Sequence, residues 1–226
     1  SYEVGYNGIF GNKLFMTVDY YKGRVENFVT DLLPGVNPSF PGYTAPSFLP
    51  APVAAQVLAT LRGGLGANFA GLTTINGQPT LVLSYTNSGV VDTQGVDVAF
   101  NYYVTNRWVA DFSYSWFDFE VKARNERDQL LPNAPENKLN GGVAYNGDRF
   151  SGSAKYRWVD GFPWAAGIFV GDVPSYGVVD LGFLFRVNDR LSLGIDVSNA
   201  LDDEHFESFG GDLLSRRALA SAAFSW

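Results

Sequence analysis

The chain has 226 residues, a mass of 24.7 kDa and no cysteine, which excludes a disulfide scaffold and cysteine-ligated metal sites. Sixteen Lys and Arg residues against 23 Asp and Glu residues give a net charge of −7, whereas nucleic-acid-binding proteins normally carry a basic surface. Aromatic residues reach 15%, charged residues only 17%, and no run of 18 apolar residues predicts a transmembrane helix. This composition favours an all-β protein, including barrels with aromatic girdles.

Apolar and polar residues alternate along most of the chain with a period of two, which is typical of β-strands. In the segment 14–21, for example, Leu14, Met16, Val18 and Tyr20 fall on one face. The predicted strands are, in chain order, 1–10, 13–29, 79–104, 107–122, 137–146, 149–160, 175–187, 190–199 and 216–226. The segment 79–104 is either one long strand or two pieces broken near Gly89 or Gly95, so nine or ten strands are expected.

The connections between these strands are either short or long, and the short ones lie at one end of the strands and the long ones at the other. Short polar turns lie at 11–13, 105–107, 146–148 and 188–189, and their Asn and Gly residues suit tight hairpins. Long connections lie at 31–78, 122–135, 160–174 and 200–216. This asymmetry is typical of outer-membrane barrels, which have short periplasmic turns and long extracellular loops.

The two faces of the predicted strands differ in side-chain chemistry. One face is bulky and apolar and carries Tyr, Trp or Phe near its margins; the other is rich in Gly, Ala, Ser and Asn with scattered charges. This pattern is explained if the apolar face forms a lipid-facing belt between two aromatic girdles and the polar face lines a lumen. The alternative is a soluble β-sandwich or lipocalin-like barrel, in which the same alternation would bury the apolar face.

Several short motifs resemble those of one family. The segment Asn199–Phe206 resembles the Asn-Leu-Phe-Asp-x-x-Tyr segment that precedes the last strand of TonB-dependent outer-membrane receptors. Ser215-Arg216-Arg217 resembles the start of their closing strand. Ala222, Phe224 and the terminal Trp226 resemble the C-terminal signal that the outer-membrane assembly machinery reads.

The resemblance implies an antiparallel transmembrane β-barrel portion in the bacterial outer membrane, with residues 1–226 forming the C-terminal part of a larger barrel. The family's plug domain is not found in this chain. Implied partners are outer-membrane lipid, an N-terminal plug and the remaining barrel strands of the same protein, the TonB complex, the barrel-assembly machinery and an extracellular small-molecule or oligosaccharide ligand, but no nucleic acid. With an odd strand count, the first strand begins outside and the last ends in the periplasm.

The implied function is import of a scarce solute of the siderophore, cobalamin or oligosaccharide class, without enzymatic activity or a cofactor. A passive porin or structural barrel is the first alternative, and a soluble carbohydrate-binding β protein is the second. No catalytic triad is expected, since the chain has one histidine and no Gly-x-Ser-x-Gly elbow. That histidine, His205, is expected in a solvated acidic loop rather than as a metal ligand.

The long connection 31–78 is predicted to be an extracellular loop with a short helix near 51–62, ended by Gly63-Gly64. Pro52 suits a first helical turn, and Val53, Val57 and Leu61 recur at helical spacing. Because loops on a rigid scaffold usually carry recognition, its aromatic residues are candidate ligand contacts. They are Phe40, Tyr43, Phe48 and Phe69.

The polar face also carries a predicted charge cluster of Lys138, Lys155 and Arg157. If Tyr145 lies opposite Phe150, then Lys138 lies opposite Arg157, and directly opposed like charges destabilise a sheet. The cluster therefore predicts an acidic counterpart from a plug carboxylate, an adjacent strand or an anionic solute. Simple solvation in a wet lumen is the alternative.

Overall fold

A computed structural model describes residues 1–29, 31–124, 128–166 and 169–225. Its main feature is one nine-stranded antiparallel sheet whose strands follow one another in chain order. These strands are β1 (Tyr2–Phe10), β2 (Leu14–Val29), β3 (Asn87–Tyr103), β4 (Trp108–Ala123), β5 (Asn137–Asn146), β6 (Phe150–Val159), β7 (Tyr176–Arg186), β8 (Leu191–Ser198) and β9 (Arg217–Phe224). The predicted all-β class is confirmed. The first and last strands form the two edges of the sheet, which is therefore not closed.

The long connection between β2 and β3 has structure of its own. Two short strands, Leu33–Pro34 and Leu83–Ser84, pair at its base, and helix α1 spans Ala51–Leu65. A 3₁₀-helix over Gly66–Gly71 leads into a hairpin of Leu72–Ile75 and Gln78–Leu81. No helix in the described part of the chain is long and apolar enough to cross a membrane.

Two predicted boundaries in this region are wrong. The helix does not stop at Gly63-Gly64 but runs through both glycines to Leu65, and it ends at Gly66, whose φ of 53° is in the left-handed region. The predicted strand 79–104 starts too early, because residues 78–84 pair within the long connection. From Asn87 onward β3 is continuous through Gly89 and Gly95.

Pairing keeps the two predicted faces in phase across the whole sheet. On the apolar face Phe10 lies opposite Leu14, Leu14 opposite Tyr102, and Phe185 opposite Leu193. A shift by a single residue would move a strand's apolar residues to the other face. The apolar face is left largely exposed, with Phe183 at 49% and Ile195 at 52%. An exposed apolar belt of this extent fits lipid.

The hairpin between β5 and β6 has a different register from the predicted one. Asn146 lies opposite Ser151, so four residues, the last of them Phe150 at the start of β6, separate these paired positions. Tyr145 therefore lies opposite Gly152 instead of Phe150. The backbone N–H of Gly147 donates to the carbonyl of Phe150 at 2.8 Å and closes the turn. Because the register slips by two residues, each side chain keeps its face.

The buried core lies at the long-loop end of the sheet, on its polar face. Val159 and Val178 of neighbouring strands pack there against Phe162 and Val173. The last two belong to a hairpin of Phe162–Ala166 and Phe169–Val173 in the connection between β6 and β7. This connection therefore folds inward over the polar face.

Candidate functional site

The predicted charge cluster lies on the polar face, but its members are not arranged as expected. The prediction that Lys138 lies opposite Arg157 is wrong, because the longer turn pairs Lys138 with Val159 and Arg157 with Asn140. Lys155 lies between Gly142 of β5 and Asp180 of β7. An adjacent strand therefore places one of the expected acidic residues beside the cluster.

Arg157 has its acidic partner in the connection between β8 and β9. Its Nη2 atom lies 3.1 Å from Oε1 of Glu207. Its guanidinium carbon lies 5.8 Å from the centre of the Tyr176 ring, within cation–π range. The side chains of Arg157 and Glu207 are each about 40% exposed, so solvent screens this ion pair.

His205 is buried, and the predicted solvated position for it is wrong. Its side chain is 6% exposed, and its ring stacks on Tyr176 with the centroids 4.2 Å apart. The Nδ1 atom lies 2.7 Å from the carbonyl oxygen of Asp203. The Nε2 atom has no hydrogen-bond partner among the described residues and lies 3.7 Å from Oε1 of Glu207. In the described part of the chain, no group of three or more side chains could hold a metal ion.

Tyr176 begins β7 at the long-loop end, outside the apolar belt. Burial raises the pKa of its phenol most, the Glu207 carboxylate raises it further, and Arg157 lowers it. The phenol therefore stays neutral at physiological pH and acts as a hydrogen-bonding and stacking surface.

The segment that resembles a receptor motif fixes the position of this cluster. Asn199, at a φ of 52°, is buried, and its side-chain amide bonds both the N–H and the carbonyl of Asp203. A carboxylate oxygen of Asp202 accepts the N–H of Arg216 at 2.8 Å. His205 and Leu214 then form an isolated β-bridge. Short polar side chains thus order the connection between β8 and β9.

A cavity of about 330 Å³ opens beside this cluster. Its polar lining includes Lys138, Asn140, Arg157, Tyr176 and Glu207, and its apolar lining includes Phe162. Strands β5, β6 and β7 supply the wall, and the inward-folded connections supply the rim. The cavity can therefore accommodate a small charged group with access from the loop side.

The four aromatic candidates of the long connection differ in exposure. Phe48 is 82% exposed and Phe40 is 40% exposed. Tyr43 is half-buried, and its backbone N–H donates to the carbonyl of Leu72. Phe69 is half-buried, with the guanidinium of Arg62 centred 5.0 Å from its ring. Their role in ligand contact stays a prediction.

The candidate assembly signal lies at the last edge of the sheet. Ala222 pairs with Leu193 and Phe224 with Leu191, both on the apolar face. Phe224 is 61% exposed. Trp226, the third member, lies outside the described residues. Its role, and that of the two described members, stays a prediction.

Sequence reasoning does not find one polar side chain that organises the mouth of the sheet. The side chain of Asn133 accepts the N–H of Ala165 and donates to its carbonyl, each at 2.9 Å, and so acts like a neighbouring β-strand. Asn133 itself has a φ of 50°, in the left-handed region. Residues 131–134 have the sequence Leu-Pro-Asn-Ala, which indicates a turn but does not indicate what the Asn133 side chain binds. Only the fold brings Asn133 to the hairpin that contains Ala165.

The sequence matches one protein family over most of its length. The profile of the family described as TonB dependent receptor-like, beta-barrel covers residues 1–200. No curated protein matches the sequence. Among solved structures, the ferric-catecholate import receptor Fiu from E. coli K12 in its closed form is 17% identical with a TM-score of 0.63, over 98% of this chain and 27% of that one.

Two further structures show the same fold. The copper transporter OprC is 16% identical with a TM-score of 0.61, over 99% of this chain and 30% of that one. The pyoverdine outer membrane receptor FpvA from Pseudomonas aeruginosa PAO1, bound to pyoverdine, is 14% identical with a TM-score of 0.63, over 100% of this chain and 29% of that one. The chain thus spans less than a third of each of these structures.

Proposed function

Because the chain belongs to the TonB-dependent receptor β-barrel family, whose members are outer-membrane proteins, we propose that it forms part of the barrel of an energised importer. The observation that carries this proposal is the nine-stranded sheet, with one exposed apolar face, one polar face and all long connections at one end. Such a sheet supplies part of a lipid-exposed wall on the outside and part of a solute path on the inside.

The proposed substrate is a scarce solute of the siderophore, cobalamin or oligosaccharide class. The similar structures are those of a ferric-catecholate import receptor, a copper transporter and a pyoverdine receptor, which supports a small, tightly recognised solute. We expect the long connection between β2 and β3 to contact this solute, with Phe48 as its most exposed aromatic candidate.

The proposed partners follow from the family. An N-terminal plug and further strands of the same polypeptide would fill and close the barrel, and the TonB complex would drive plug movement. The barrel-assembly machinery would read the last strand, and outer-membrane lipid would surround the apolar face. The polar face offers a plug both acidic residues, such as the opposed Asp19 and Asp97, and basic residues.

The two alternatives predict different observations. A soluble β-sandwich would cover the apolar face with a second sheet, whereas Ile195 and Phe183 are about half exposed in the described structure. A passive porin would conduct solutes without energy. We therefore propose uptake assays in cells that carry the intact protein, with labelled ferric siderophores, cobalamin and oligosaccharides.

We expect saturable uptake of one class, which stops when TonB is inactivated or the proton-motive force is collapsed. Uptake that continues unchanged without TonB would favour the passive porin. Recovery of the protein in the soluble fraction would overturn the membrane assignment itself.

A further inference from the structure

The cavity at the mouth of the sheet carries more positive than negative charge. Lys138, Arg157 and Glu207 are its charged lining residues, so two cations face one carboxylate. Neither strand neighbour of Lys138 is acidic, since it lies opposite Ser115 on β4 and Val159 on β6. Within the described residues, Lys138 forms no ion pair, and its side chain is exposed.

Nearby acidic groups are engaged elsewhere. Asp160, just after β6, accepts hydrogen bonds from Asn137 and from the N–H of Gly161. Asp203 accepts the N–H of Gly177. Asp180 lies opposite Lys155 and accepts the N–H of Asn199. Glu136, two residues before Lys138, accepts a hydrogen bond from Nε1 of Trp116 at 3.1 Å. These carboxylates keep their negative charge, but none of them forms an ion pair with Lys138 among the described residues, so its ammonium group is available to an occupant of the cavity.

Glu207 is positioned by more than its ion pair with Arg157. Its Oε1 atom lies between the Arg157 guanidinium and the buried Nε2 of His205, at 3.1 and 3.7 Å. The β-bridge between His205 and Leu214, and the stacking of His205 on Tyr176, hold this connection against β7 independently of Arg157. Arg157 can thus exchange its carboxylate partner without loss of the loop structure.

We propose that this cavity is a binding subsite for a carboxylate- or phosphate-bearing anion, held by Lys138 and Arg157. Asn140, which lies opposite Arg157 and lines the cavity, is placed to donate a hydrogen bond to the same anion. Glu207 holds Arg157 towards the cavity while it is empty and competes with the anion for the guanidinium. The subsite rests on the proposed function and deepens it, since it names an anionic group on the imported solute.

The test measures binding, separately from transport. The intact outer-membrane protein in detergent is titrated calorimetrically at low salt with citrate, with inorganic phosphate and with sucrose as a neutral probe. We expect citrate or phosphate to bind and sucrose not to bind. Loss of one charge-assisted contact in K138Q or R157Q should weaken anion binding about tenfold. E207Q should strengthen it by several-fold, because Arg157 loses its competing carboxylate.

Lys122 provides the matched control. It lies on the outer side of β4 near the same rim, with its ammonium 3.8 Å from Asp92, and does not line the cavity. K122Q removes the same charge and should leave anion binding unchanged. An equal effect of K122Q and K138Q would overturn the subsite, since long-range charge would then explain both.

A carboxylate elsewhere in the same polypeptide is the competing occupant. In that case K138Q and R157Q would lower the unfolding midpoint of the intact protein, and no variant would change citrate or phosphate binding; this result would overturn the proposal. Anion binding that responds to the variants in a protein without energised uptake would uphold the subsite and contradict the proposed importer instead.

Discussion

Adjacent residues of one strand face different surroundings in this sheet. Leu193 of β8 lies on the apolar face between Phe185 and Ala222, whereas Ser192 lies on the polar face between Arg186 and Ala223. This difference is predictable from the sequence, because the alternation of apolar and polar residues has the period of the pleat. If the apolar face contacts lipid, a charged residue placed on that face should cost more free energy than one placed on the polar face.

Leu193→Arg should destabilise the intact barrel, by up to about 2–4 kcal/mol if the side chain lies near the bilayer midplane, because a cation enters hydrocarbon. Ser192→Arg is the neighbouring control and should cost less, since its charge enters the wet lumen and its repulsion by the opposed Arg186 costs about 1 kcal/mol or less. The unfolding free energy in lipid vesicles, measured by urea titration, compares the two. Equal losses, or a larger loss for Ser192→Arg, would show that the faces are assigned the wrong way round.

The double hydrogen bond between Asn133 and the backbone of Ala165 gives a second prediction for a single residue. Asn133→Ala leaves the buried Ala165 backbone without these partners, at a cost of about 1–3 kcal/mol. We expect amide-exchange protection of residues 162–166 to fall roughly tenfold or more, since local opening becomes easier. Mass spectrometry of exchanged peptides measures this change.

Asn140→Ala is the control for that variant, because it removes one exposed hydrogen bond, to Ser113, and leaves the hairpin contacts in place. Unchanged protection of 162–166 in Asn133→Ala would contradict the role of the side chain. Sequence reasoning does not find this contact, because residues 133 and 165 meet only through the fold.

At the scale of elements, strands are easier to predict than the connections. Eight of the nine strands of the sheet lie within a few residues of their predicted bounds. Each strand has one apolar and one polar face, so its residues alternate over many positions and the pattern is easy to recognise. The turn after Asn146 is harder, because turns that differ by two residues keep the same faces and only the register distinguishes them. The predicted charge pair of Lys138 and Arg157 is wrong for this reason alone.

The hairpin of Leu72–Ile75 and Gln78–Leu81 is absent from the sequence prediction although its turn carries a strong signal. Asn76 and Gly77 have φ values of 51° and 77°, as a two-residue hairpin requires. The residues on either side of this turn do not alternate clearly between apolar and polar, so the sequence does not distinguish the hairpin from the rest of the long connection. The helix end is misplaced because Gly63 and Gly64 are tolerated inside α1, at a cost of about 1 kcal/mol each relative to Ala.

The long connection should be separable from the sheet. Val29 and Asn87 are direct partners in the β2–β3 ladder, so the two strands can be joined by a short turn after residues 31–86 are deleted. The core that contains Val159, Phe162 and Val173 lies in other elements and stays intact. We expect the shortened intact protein to keep its heat-modifiable migration in gels while solute binding falls.

Phe48→Ala tests the same connection with its fold retained, because this side chain is 82% exposed. It should weaken solute binding without a change in migration. Loss of the folded barrel on deletion of 31–86 would contradict this separation of recognition from support.

At the scale of the whole molecule, the two edge strands of the sheet, β1 and β9, run in the same direction. β1 starts at the end of the sheet that carries the long connections. Because neighbouring strands are antiparallel, all odd-numbered strands run in the same direction, so β9 starts at that end too. Bringing the two edges together would place parallel neighbours in an otherwise antiparallel wall. Bacterial single-chain barrels have even strand counts, which avoid this junction.

Residues 1–226 alone should therefore not form a closed monomeric barrel in a membrane. Unpaired N–H and C=O groups along β1 and β9 would face hydrocarbon, at several kcal/mol per group. We expect the isolated chain to give no heat-modifiable monomer in lipid vesicles, whereas the intact protein gives one. The pair Asn7→Cys and Ser221→Cys, which lie on the polar face of the two edge strands, should not cross-link within a monomer of the isolated chain. Efficient cross-linking in a folded monomer would mean that β1 and β9 pair, and that this sheet closes without further strands.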